Sequence, residues 1–225
     1  MKRLIVAFVL VVLAVSLHSE EEKARRFYFN FSAGYTLSRS TDHVYGCTFA
    51  RDQIRDQIGY KTIDGFHVSL SMIRNTDARI LLEPGIRYIT RGWGEYRIEP
   101  RHQYGVWDEY LHKMHHLDLF CKIKYNTERH FGNSALHWFP YVGFSYSFLV
   151  YSREEYDLNI GDFDRRAVKL PKNDVENFLL IGMDFVYANR ITFGVEYGRA
   201  ITRIPIYQVT KIYLQSLSIS VGVRL

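Results

Sequence analysis

Apolar and polar residues alternate with a period of two along most of the chain. Phe27, Phe29, Phe31, Ala33, Tyr35 and Leu37 form one series, and Tyr28, Asn30, Ser32, Gly34, Thr36 and Ser38 are interleaved with them. Such alternation belongs to a strand whose two faces meet different surroundings. The pattern returns near 66–72, 80–88, 117–125, 138–148, 179–187, 191–197 and 217–225, which predicts eight strands. Several runs are ten residues or more. A strand in a soluble protein is usually about five or six long, whereas crossing a bilayer at a tilt takes about 9–11. The connections alternate as well. Long ones fall at 40–59, 92–112, 152–174 and 202–211, and shorter ones at 74–77, 126–137 and 188–190. Long loops on one side and short turns on the other is the outer-membrane barrel pattern. The segment 133–152 carries no Asp, Glu, Lys or Arg, but Pro140, Gly143 and the alternation of Ser145 and Ser147 with Phe144, Tyr146 and Phe148 read as a strand rather than a helix.

The interleaved positions decide which face looks inward. Glu83, Arg87, Asp118, Lys122, Asp184 and Glu196 lie in mid-strand opposite the apolar series. Gly34, Gly65, Gly85, Gly143, Gly182, Gly194, Gly198 and Gly222 share that face. A solvated face has no reason to collect glycine, which weakens strands. The narrow interior of an eight-stranded barrel does, because its lumen is only wide enough for packed side chains. The expectation is therefore polar inside and apolar outside. Buried charges must be paired, so Glu83, Arg87, Asp118, Lys122, Asp184, Glu196 and Arg224 are expected to form a luminal ion-pair network, read as a plug before a gate or proton path.

Composition then changes the picture in three ways. The mean hydropathy of -0.18 excludes a membrane protein built from helices, but not one built from strands with a polar face. The aromatic content is 16%, with 17 Tyr and 15 Phe. Tyr125, Trp138 and Tyr187 near the short-turn ends, and Tyr35, Tyr88, Tyr146, Tyr197 and Tyr213 near the long-loop ends, predict two interfacial girdles. The excess of 29 Lys and Arg over 24 Asp and Glu is small and dispersed, and no nucleic-acid partner is expected. At the N-terminus Lys2 and Arg3 precede an apolar run over 4–17 and then His18, Ser19 and Glu20. The run is shorter than the roughly 20 residues a spanning helix needs. It reads as a signal peptide over 1–19, leaving 20–225 as one barrel domain. Cys47 and Cys121 could form one bridge, and two free thiols is the favoured reading.

Chemistry-bearing patterns are weak. His112, His115, His116 and Asp118 resemble a metal cluster but match no zinc spacing. His67, Ser69 and Ser71, with Glu83 across, could form a rim hydrolase set. Arg91-Gly92-Trp93-Gly94 reads as the end of the third strand. No catalytic residue, cofactor or metal site is assigned, and the chain is read as not an enzyme.

The chain also resembles the PorT-like outer-membrane β-barrels of Bacteroidota. The likeness rests on Phe-Ser-Ala-Gly-Tyr at 31–35, Leu-Glu-Pro-Gly-Ile-Arg-Tyr at 82–88 with Arg91-Gly92 after it, Pro-Tyr-Val-Gly at 140–143 and Phe-Gly-Val-Glu-Tyr-Gly at 193–198. The resemblance implies an all-β, eight-stranded antiparallel up-and-down transmembrane barrel in a Gram-negative outer membrane. It implies insertion by the barrel-assembly machinery, contact with outer-membrane lipid and a partner in the envelope or a secretion system. The expected role is structural, secretion-accessory or partner-binding through the long loops. The alternatives are a lipid-modifying enzyme at the rim and a soluble periplasmic lipocalin-like binding barrel.

Overall fold

The computed structural model describes residues 27–40, 58–74, 79–98, 107–127, 135–158, 162–166, 175–202, 204–206 and 210–225. The predicted signal peptide and Cys47 lie outside the described residues. The strands are β1 (Phe27–Ser40), β2 (Ile58–Lys61), β3 (Ile63–Arg74), β4 (Ile80–Ile98), β5 (Trp107–Tyr125), β6 (Leu136–Leu158), β7 (Asp162–Arg166), β8 (Val175–Tyr187), β9 (Ile191–Ala200), β10 (Ile204–Ile206), β11 (Thr210–Ile212) and β12 (Leu214–Arg224). Eight of them close into an antiparallel barrel, β1-β3-β4-β5-β6-β8-β9-β12, with β12 returning to β1. Stepping through paired residues from Asn30 leads to Ser71, Gly85, Phe120, Ser145, Phe178 and Ala200. Leu214, the next position on β12, pairs with Ser40 and not with Asn30. That stagger tilts the strands against the barrel axis, as closure requires.

The apolar series faces out. Leu70, Ile86, Leu119, Phe144, Ile181, Val195 and Ile219 are exposed around the wall, while Ser71, Arg87, Asp118, Ser145, Glu196 and Ser218 beside them are buried. A lipocalin-like barrel would show the reverse, an apolar cavity inside and a polar wall outside. The glycines make room for long inward side chains. A Cβ at Gly85 would strike the Phe120 ring, one at Gly182 the Tyr141 ring and one at Gly194 the Asp184 carboxylate. Among the described residues the tightest turn joins β8 to β9. Ala188 and Asn189 both have positive φ, at 49° and 58°, and the Arg190 amide donates to the Tyr187 carbonyl at 3.0 Å. Two consecutive left-handed residues match the twist of the flanking strands.

Two expectations are corrected. The long connections are not loops throughout. β4 and β5 stay paired as far as Ile98 and Trp107, β6 reaches Leu158, and the short strands β2 and β7 pair with β4 and β6. Beyond the bilayer both faces of a strand meet water, so the alternation that marks a strand disappears there. Residues 91–94, read as a strand end, instead continue β4 and are still buried, with Trp93 inside the barrel. The lumen, second, is not only polar and small. Ile73, Leu81, Phe139 and Val186 form an apolar floor at the short-turn end. Trp93, Met114, Phe120, Phe178, Leu180, Ala200 and Leu214 form a larger cluster toward the long-loop end.

Candidate functional site in the barrel lumen

Above the apolar floor, and interleaved with the larger cluster through Phe120 and Phe178, lies a band of charge. Its long side chains come mainly from β4 and β5, and the facing strands β1, β9 and β12 supply Ser, Thr and Gly. Arg87 on β4 donates from Nη2 and Nε to Asp118 Oδ2 on β5 at 2.9 and 3.2 Å. Its Nη1 donates to Glu196 Oε1 on β9. In the closed ring β9 lies diametrically opposite β4, so this one side chain bridges the full width of the lumen. Arg91 donates to Asp118 from Nη2 at 2.7 Å and from Nη1 at 3.2 Å, and also to Ser147 Oγ at 3.2 Å. Its guanidinium lies 4.0 Å from the centre of the Phe178 ring, a cation–π contact.

Lower down, Lys122 Nζ lies 3.1 Å from Glu196 Oε2 and donates to the Tyr141 hydroxyl at 3.2 Å. Tyr141 in turn donates to Glu196 Oε2 at 3.0 Å. Lys124 Nζ joins Glu83 and Asp184. Glu83 also accepts from Ser71 Oγ and from Asn30 Nδ2, the latter at 3.3 Å. Within this band Arg87, Arg91, Lys122 and Lys124 face Glu83, Asp118, Asp184 and Glu196. The charges balance, and each carboxylate is paired. This matters because an isolated buried ion costs several kcal/mol, on the order of its desolvation penalty. Chemically the arrangement is a brace. Its side chains tie four of the barrel strands across the lumen.

Of the residues proposed from sequence, Glu83, Arg87, Asp118, Lys122, Asp184 and Glu196 come together in this band. Arg224 sits at the floor, its guanidinium 5.4 Å from the Tyr28 ring centre and 5.5 Å from that of Phe139. Arg91 and Lys124 were missed as members. Arg91 reads as part of a strand end beside Gly92, and Lys124 stands next to another strand end. Both lie on the inward parity, which was the signal available.

The histidines go separate ways. His112 stacks on Trp93 with ring centres 4.4 Å apart. His115 faces out, its Nδ1 2.6 Å from the Tyr88 hydroxyl. His116 Nε2 lies 3.3 Å from Glu176 Oε1, and Asp118 is taken up by the arginines. His67 Nδ1 lies 3.0 Å from Thr36 Oγ1, which is 3.0 Å from Ser218 Oγ. Ser69 meets Ser32 at 2.6 Å, while Ser71 bonds to Glu83. The serines, His67 and Glu83 therefore do not assemble into a nucleophile, base and orienting acid. Of the aromatic positions, Tyr35, Tyr125, Tyr146, Tyr187 and Tyr197 are exposed on the outer wall, and Tyr88, Trp138 and Tyr213 are half-buried. Tyr197 Oη lies 2.9 Å from the Gln215 side-chain amide. Cys121 is a free, exposed thiol on the same wall.

Several solved structures are similar to the chain. Neisserial surface protein A is 15% identical, with a TM-score of 0.42 and coverage of 90% of this chain and 99% of that one. Ail, the attachment invasion locus protein of Yersinia pestis, is 11% identical, with a TM-score of 0.43 and coverage of 89% and 100%. The outer membrane enzyme PagL is 11% identical, with a TM-score of 0.34 and coverage of 87% and 97%. No curated protein matches the sequence. Residues 16–204 match the family described as outer membrane protein beta-barrel domain. With its closed eight-stranded wall, outward apolar belt and inward charge, the chain belongs to this family of outer-membrane β-barrels.

Proposed function

We propose that the protein is a non-enzymatic, non-conducting outer-membrane barrel with a structural, secretion-accessory or partner-binding role exercised through its long-loop side. The observation that carries this reading is the bridge from Arg87 to Glu196 across the barrel diameter, packed among the larger apolar cluster and above the apolar floor. A lumen filled by the floor, the ionic band and the larger cluster leaves the outside surfaces to do the work. Strands β4 and β5 are 19 residues long and β6 is 23, against about 9–11 needed to cross. Their surplus raises a sheet above the membrane, edged by β2 and β7, as a platform for an envelope partner.

In this reading the chain is a PorT-like barrel of a Bacteroidota-like bacterium. Its first 19 residues are removed on export and the barrel-assembly machinery inserts the rest. Its outward tyrosines and Trp138 sit at the two membrane interfaces. Planar-bilayer recording of the purified, folded protein tests the closed lumen: no stable conductance is expected, and steady conductance overturns it. Crosslinking from positions in the 40–59 and 152–174 connections tests the platform. Capture of an envelope protein is expected. No captured partner, together with a neutral deletion, counts against the role.

A further inference from the structure

Three neighbouring strands change character on one register row of the outer wall. On β1 the outward series runs Tyr35, Leu37, Arg39; on β12, Ile219, Leu217, Gln215; on β9, Val195, Tyr197, Arg199. Arg39 pairs with Gln215 and Gln215 with Arg199, so the three polar residues stand side by side. Leu37, Leu217 and Tyr197 make the adjacent, last apolar row. That step marks where acyl chains give way to headgroups on the long-loop side.

The row is already partly tied together. The Gln215 amide oxygen accepts from Arg39 Nε and Nη2, the latter at 3.0 Å, and its nitrogen donates to Tyr197 Oη at 2.9 Å. Asp64 on β3, opposite Leu37, lies diagonal to Arg39 and answers its charge. Arg199, exposed on the wall, is placed differently. Gln215 and Leu179 stand opposite it, and Tyr213, Leu217, Asn177 and Ile181 are diagonal to it. None of these positions carries a carboxylate.

A groove leads away from Tyr197 along the wall. It holds about 670 Å³ and runs between two register rows, Tyr197–Ile181–Val142 and Val195–Met183–Pro140. Val195 and Pro140 are compact, so the second row leaves space that longer side chains would fill. Sites that take a whole small ligand usually measure about 300–1,000 Å³. Its outward rim residues are apolar, which suits hydrocarbon, while the cation at its head suits an anion. A phosphate-bearing lipid carries both parts on one molecule. We infer, on the reading of this wall as membrane-facing, a site for one such lipid. Arg199 holds the phosphate, the Arg39–Gln215–Tyr197 chain fixes the rim beside it, and an acyl chain lies in the groove.

The test uses the full-length protein, folded in nanodiscs of phosphatidylcholine doped with phosphatidylglycerol, and reads retained lipid by native mass spectrometry after transfer to detergent. The wild type should retain phosphatidylglycerol over phosphatidylcholine. R199Q should lose that preference about fivefold, the effect of one cation near a membrane surface. R199K should keep it, and so should K113Q, which removes an outward cation of β5 away from the groove. V142W/V195W, which fills the groove with apolar bulk, should shorten the retention of both lipids. An R199Q protein with the wild-type preference, or a V142W/V195W protein with wild-type retention, overturns the site. So does displacement of the lipid by excess inorganic phosphate, which would place the affinity in the anion alone. A wild type that holds both lipids equally overturns the site but not the membrane-facing wall, whereas one that carries neither overturns both.

Discussion

Replacing Asp118 with alanine should destabilise the folded barrel by about 3–5 kcal/mol, the range for removing one partner of a buried ion pair. The side chain is fully buried and accepts four hydrogen bonds, two from Arg87 and two from Arg91. Its loss leaves two guanidinium groups in the lumen with excess positive charge. Arg87 keeps Glu196, and among the described residues Arg91 keeps Ser147 and the face of Phe178. Urea unfolding of the lipid-embedded protein, followed by the loss of its heat-sensitive compact band on gels, measures the change. Ser69→Ala, which removes a single hydroxyl pair with Ser32, should cost about 1 kcal/mol or less by the same assay. Similar small effects at both positions would mean that the ionic band does not brace the wall.

Leu119→Arg, one residue along the same strand, should be nearly as damaging for the opposite reason. Leu119 is 47% exposed on the outer wall. In water, arginine at such a position would be close to neutral, because large effects need a buried or specially constrained site. Facing hydrocarbon near the bilayer midplane, it should cost about 2–4 kcal/mol. Measured side by side, the neighbours Asp118 and Leu119 separate an inverted barrel from a soluble one. In the soluble case the exposed leucine would tolerate arginine without penalty.

The strand faces were legible because the bilayer enforces a contrast between them. Wherever one face meets lipid and the other a packed lumen, alternation is strict, and positions such as Arg87, Asp118 and Glu196 declare themselves. The contrast ends where the strands leave the membrane, so the extensions of β4 to Ile98 and β6 to Leu158 read as loops. Period two also gives the face of a residue but not its level along the barrel. Leu81, Phe120 and Leu180 are visible as inward residues, yet nothing local says that Leu81 joins Ile73, Phe139 and Val186 in a floor while the other two join a separate cluster. Arg91 and Lys124 were hidden by their apparent nearness to strand ends, although each reaches deep into the band. Val150, an extra residue in β6 between the pairs His116–Leu149 and His115–Tyr151, was hidden as well. A single inserted residue reverses the parity of everything after it, and Tyr151, Ser152 and Arg153 suit either face.

The most direct test of an apolar outer wall in contact with lipid uses the thiol already there. Cys121 is exposed on β5, between Leu119 and Ile123 in the outward series. With Cys47→Ser as the background, the protein is folded into vesicles and treated in parallel with a charged, water-soluble maleimide and a lipid-soluble one. The account predicts that Cys121 resists the charged reagent, reacts with the lipid-soluble one, and becomes fully reactive to both on denaturation. Rapid labelling of the folded protein by the charged maleimide would place this wall in water and contradict the account.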